Sequence, residues 1–154
     1  MTLDVYICNP MQQEINEIKD ALASYRTHAP ERSFECFEWL DLQWQMGKSG
    51  IFMLSYQIDA RTHGTELCEE AIQRDPDARV IITQNILGNN VEDQINASRD
   101  AGAYGFIPRK KPENRTAPPT TKEIKFTQEP DARYDPNTIR QTVAAVSRGE
   151  KFFP

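Results

Sequence analysis

Residues 51–55 read Ile-Phe-Met-Leu-Ser. A strand with one wet face alternates apolar and polar side chains, and this one does not. A continuous apolar run is the mark of a strand buried on both faces of a parallel sheet. The same character returns at Arg79–Gln84 (RVIITQ), rich in β-branched residues. Between the two, Leu67, Cys68, Ala71 and Ile72 fall on one helical stripe that stops before Asp75-Pro76. Strand, helix, strand is the unit from which a helix-covered parallel sheet is built.

The unit repeats in both directions. Towards the N-terminus, Asp4–Cys8 is a short apolar run closed by Asn9-Pro10, a cap residue with proline behind it. Ile15, Ile18, Leu22 and Tyr25 then recur at helical spacing through Met11–Tyr25. Aromatic-rich Phe34–Leu40 reads as a second strand, with Asp41 capping a short helix over Leu42–Lys48. Towards the C-terminus, Asn90 caps a helix carrying Val91, Ile95 and Ser98 inward, and Gly102 ends it. Tyr104–Ile107 is the fifth strand. The order predicts a doubly wound α/β domain over residues 1–154.

Residues 110–134 interrupt the pattern. They hold Pro112, Pro118, Pro119 and Pro130, which oppose a helix, and only Glu123–Thr127 (EIKFT) has strand character. Connections in compact domains rarely pass ~12–15 residues without structure or a role of their own. Pro118, Pro119, Ile124 and Phe126 are therefore expected to form a partner-binding insertion. Asp135-Pro136 restarts order, and Ile139, Val143 and Val146 mark a last helix ended by Gly149. Residues 149–154 read as the start of a linker to a further output domain.

Composition narrows the function classes. Apolar residues make up 38% and charged residues 27%, and the net charge is −5. An acidic domain without clustered Lys and Arg is not expected to bind nucleic acid directly. No apolar run nears the ~20 residues that span a bilayer, and no signal pattern opens the chain, so a cytoplasmic location is expected. Cys8, Cys36 and Cys68 sit apart in apolar sequence and read as buried free thiols; no metal site on His28 and His63 and no cofactor is expected.

Three phrases carry a resemblance. "HGTELCEEAIQRDPDARVIIT" (63–83) resembles the third helix and fourth strand of bacterial response-regulator receiver domains. "DAGAYGFIPRK" (100–110) resembles their fifth strand and its approach. "IRQTVAAVSRGEKFFP" (139–154) is similar to the end of receivers that precede a LuxR-type DNA-binding domain. The resemblance implies a flavodoxin-like, CheY-like sheet of order 2-1-3-4-5, with the insertion lying between strand five and helix five. It also implies a pocket at the strand ends in which acids hold Mg²⁺, an aspartate takes a phosphoryl group, and a hydroxyl and a lysine read it.

Here that pocket lacks its acids. Ile7 and Cys8 stand in the positions of the acidic pair, and neither suits Mg²⁺. The acceptor slot falls on Ser55 counting along the apolar run, or on Tyr56 counting back from Gly64. Thr83 keeps the hydroxyl. Arg109 replaces the lysine and must pair with something else or reach solvent. The expectation is a phosphorylation-independent pseudo-receiver, not an enzyme, working through a protein partner, an attached output domain or a homodimer. The alternatives are a phosphorylatable receiver using displaced Asp59, or a redox or ligand sensor using Cys8 with its pKa lowered by Arg109.

Overall fold

The computed structural model describes residues 3–84, 91–110 and 133–154. Five strands, β1 (Val5–Cys8), β2 (Thr27–His28), β3 (Ile51–Ser55), β4 (Arg79–Thr83) and β5 (Gly105–Ile107), form a sheet of order β2-β1-β3-β4-β5. Every pairing is parallel, with β1 in register against β3 from Val5↔Ile51 to Cys8↔Leu54, and β3 against β4 from Ile51↔Arg79 to Ser55↔Thr83. The expected flavodoxin-like topology is present. Its helices are α1 (Gln12–Ala21), α2 (Cys36–Gln45), α3 (Gly64–Arg74), α4 (Val91–Asp100) and α5 (Pro136–Ser147).

Alternation along the strands divides the core into two apolar layers. Val5, Ile7, Met53, Ile81 and Ile107 face Ile15 and Ile18 of α1 and Ile139 and Val143 of α5. Tyr6, Cys8, Leu54, Ile82 and Phe106 face Cys36 and Leu40 of α2 and Leu67 and Cys68 of α3. All five residues of β3 are buried, as its unbroken apolar run demands.

One expected element is corrected. Phe34–Leu40 is not a strand: the second strand is Thr27–His28, and a 3-10 turn over Ser33–Glu35 leads into α2. Cys36 and Leu40, four apart, are buried, whereas Phe34 is 72% exposed. The stretch thus obeys a helical period, and packing overrides the β-preference of its aromatics. The helix expected over Leu42–Lys48 accordingly begins earlier and ends at Gln45.

Helix ends follow local chemistry. Asp135 caps α5 by accepting from the Asn137 amide at 3.1 Å, with Pro136 in the first turn. Arg79 on β4 donates to the Val146 and Ser147 carbonyls at 3.2 and 2.7 Å, setting a cation at the negative end of α5. Gly102, at φ +95°, turns the chain out of α4.

Beyond β5 the chain makes a small antiparallel pair, β6 (Arg109–Lys110) with β7 (Arg133–Tyr134), whose register sets Arg109 opposite Tyr134. These are the two ends of the insertion. Its expected contact residues, Pro118, Pro119, Ile124 and Phe126, and the expected cap Asn90, lie outside the described residues. Residues 149–154, expected as linker, are tied back as far as Phe153. The Phe152 amide donates to Tyr104 O at 2.8 Å, and Arg99 stacks over the Phe153 ring at 4.7 Å. This segment covers the edge of β5.

Where β3 hands over to α3 the backbones nearly touch: a Cβ on Gly64 would lie 2.2 Å from Ser55 O. A methyl there cannot be absorbed by a rotamer change, because the obstacle is backbone. Gly64→Ala is expected to cost about 2 kcal/mol or more. Urea unfolding of the two proteins measures it, and an unchanged midpoint would mean that this junction yields.

Candidate functional site

The carboxyl ends of parallel strands are where this topology places its sites. Ser55 and Thr83 end β3 and β4 as register partners, both 1% exposed. Neither hydroxyl has a hydrogen-bond partner among the described residues. Tyr56 is half-buried; its amide donates to Thr83 O at 2.9 Å and its ring meets that of His63 edge-on. Ile7 and Cys8 face opposite sides of the sheet. Ile7 packs under α1 and α5, and Cys8 packs under α2.

The charged centre is built on Arg109. Its side chain, 4% exposed, sets a guanidinium nitrogen 3.4 Å from Oε1 of Glu14, itself 1% exposed. The expected alternatives, a partner or solvent, resolve to a buried partner on the first turn of α1. Asn9 Nδ2 donates to the same carboxylate oxygen at 3.2 Å. The Arg109 amide donates to Oε1 of Gln84 at 2.8 Å, just past β4. Tyr134 closes the site: its ring lies 4.8 Å from the Arg109 guanidinium carbon, and its hydroxyl donates to Gln84 O at 2.6 Å and contacts Oε1 of Glu14.

Proton placement follows. Burial pushes the Glu14 carboxyl above the ordinary value, helped by Glu17 and opposed by contacts from Tyr134, Asn9 and Arg109. Tyr134 is raised well above an ordinary phenol, first by burial and then by the Glu14 charge. The nearby Thr83 hydroxyl and the Arg109 charge pull the other way. Tyr134 has one hydroxyl proton and two acceptors, Glu14 and Gln84 O.

The low-pKa role expected for Cys8 is corrected. Its thiol is raised well above the ordinary value by the Cys36 side chain and by burial, while Arg109 is turned towards Glu14. Asp59 sits in the loop after β3. Its Oδ1 accepts the Arg61 and Thr62 amides, both at 2.8 Å, and those bonds lower its pKa. No group of three or more metal-ligating side chains occurs among the described residues.

Solved structures similar to the chain settle the comparison. The receiver domain of RcsB from Salmonella enterica serovar Typhimurium, determined with phosphomimetic BeF3⁻, matches at 14% identity over all of this chain and 94% of its own, TM-score 0.67. A LuxR-family two-component response regulator from Aurantimonas sp. SI85-9A1 matches at 14% identity over 99% of this chain and 89% of its own, TM-score 0.68. A CheY-like receiver protein from Methanospirillum hungatei JF-1 matches at 12% identity over 97% and 96%, TM-score 0.62. This chain has the receiver fold. No protein-family model and no curated relative matches its sequence.

Sequence reading missed Glu14, Asn9, Gln84 and Tyr134. Two signals were there to read. Glu14 extends the buried face of α1 that Ile18 and Leu22 continue at four-residue steps. Tyr134 precedes the Asp135 cap and shares a cluster with Ile139, the pairing of a hydrophobic staple.

The centre predicts an asymmetric pH response. Because the folded state holds the Glu14 proton more tightly than the unfolded chain, this group's stability is full below the ordinary carboxylate pKa and is lost as pH rises through the raised one. Glu14→Gln is expected to remove that downward slope. Arg109→Met strands an ionised Glu14 at neutral pH, for about 3 kcal/mol, and costs less at acid pH. Denaturation midpoints of the three proteins across the acid-to-neutral range decide it; parallel curves would refute the assignment.

Proposed function

We propose that this receiver-fold chain is a cytoplasmic pseudo-receiver that transfers no phosphoryl group. It acts in signal transduction or transcription control through protein contacts, and it is not an enzyme. What supports this is the crowding of the acceptor end of the sheet. Arg109, Glu14 and Tyr134 close on one another there, and Ile7, Cys8, Ser55 and Tyr56 bring no carboxylate. Mg²⁺ needs several oxygen ligands in near-octahedral array. The Glu14 carboxylate already meets Asn9, Arg109 and Tyr134. Asp59, the acid of the displaced alternative, sits in the loop beyond the strand end with Oδ1 accepting the Arg61 and Thr62 amides.

The contacts we assign to this domain are with a partner protein or an attached output domain, and with a second copy of itself. The insertion is our choice for the recognition element. Arg109, the residue before it, and Tyr134, its last residue, are components of the buried centre, so a partner holding the insertion would act directly on Tyr134.

Incubation with Mg²⁺ and acetyl phosphate is expected to leave the intact mass unchanged, and beryllofluoride should not alter the melting temperature. A mass gain of one phosphoryl group that disappears in Asp59→Asn would overturn the proposal in favour of displaced ligands. For self-association, light scattering over a dilution series should show a dimer whose population does not respond to phosphodonor. A strict monomer at high micromolar concentration would remove that part of it.

A further inference from the structure

Two of the three cysteines meet inside the domain. Cys8 ends β1 and Cys36 opens α2, 28 residues away, and both are buried. The Cys8 thiol donates to the Cys36 carbonyl oxygen at 3.4 Å, and the two side chains are close enough for each to shift the other's pKa. Cys68 is engaged elsewhere, with its thiol 3.6 Å from Ala101 O. We propose that Cys8 and Cys36 are a redox pair that closes to an intramolecular disulfide on meeting a small peroxide, hydrogen peroxide being the simplest.

The two thiols are unequal in the way such a pair requires. Cys36 stands at the N-terminus of α2, where backbone N–H groups favour an anion. Its pKa is lowered by the Cys8 thiol and by the Cys36 and Phe37 amides, against burial and the Glu38 charge. Cys8 is raised by Cys36 and by burial. Cys36, at the start of α2 and directly after a turn with no buried residue, is the attacking thiol, and Cys8, at the end of a buried strand, is the resolving one. Cys36 thiolate displaces hydroxide from the peroxide and becomes a sulfenic acid. Cys8 sulfur then attacks the Cys36 sulfur, the S–O bond breaks, and water leaves with the Cys8 proton. In sum, two thiols and one peroxide give one disulfide and two waters.

The way in is the turn just before Cys36. Ser33–Glu35 is a single 3-10 turn with no buried residue, closed by the Glu35 amide on Arg32 O at 2.9 Å. Opening it uncovers Cys36 without disturbing the sheet, as short exposed turns do at low cost. The bond would staple β1 to α2 on the face away from Arg109, so the switch is independent of the pseudo-receiver reading.

The test is peroxide titration of the folded, reduced chain, followed by intact mass and peptide mapping without reductant. The expected product has lost two hydrogens, contains a linked Cys8–Cys36 peptide, and leaves Cys68 open to alkylation. Its melting temperature should rise by about 5–10 °C, as closing a loop of this length implies, and fall back with dithiothreitol. Cys8→Ser should collect oxygen on Cys36 as sulfenic and then sulfinic acid. The map on the unaltered chain decides even if that variant fails to fold. Three alkylatable thiols surviving a dose that oxidises the denatured chain would overturn the proposal. So would a disulfide involving Cys68, or one joining two copies.

Discussion

A guanidinium shut away from water needs an anion within reach, and at the carboxyl end of this sheet the anion is Glu14. The rest of that end is arranged around the pair. Asn9, in the turn after β1, donates to the carboxylate, and Gln84, in the turn after β4, holds the Arg109 backbone. Tyr134, returning from the insertion, roofs the guanidinium and uses its hydroxyl on both Glu14 and Gln84. Three strand ends, one helix and the hairpin base thus depend on one ion pair. That pair is not a simple source of stability. Glu14 is raised, so burial outweighs its attractive contacts, and the arrangement specifies geometry more than it strengthens the fold.

The sheet was legible in the sequence because its strands are short, apolar and separated by helices with clean stripes. Ile51–Ser55 and Arg79–Thr83 have no polar face to confuse with any other element. Phe34–Leu40 misled because aromatic density suggests a strand while the burial of Cys36 and Leu40 obeys a helical period. The second strand escaped notice at two residues, too short to show alternation. Arg109 could be placed at its strand end from sequence, but its partner could not. Glu14 and Tyr134 reach it from 95 residues upstream and 25 downstream, and only the packing of α1 and the hairpin brings them together.

The Glu14–Arg109 pair determines what can move the site. A cluster of carboxylates stores like-charge repulsion, which a metal or a phosphoryl group can relieve or redirect. Here Glu14 faces a guanidinium, and the like-charge contribution of Glu17 comes after burial among the causes that raise it. What holds this centre is packing: an aromatic ring over a cation, two apolar layers, and a hydroxyl with a choice of acceptors. To rearrange it, a ligand must favour a state in which Tyr134 has left, and can shift the balance only by its differential affinity for that state. Tyr134 is carried on β7, the returning end of the insertion, and is stapled to α5 through Ile139. Displacing the ring would therefore move β7 and the first turn of α5 together, linking the Arg109 centre to the strand that leads into the final helix.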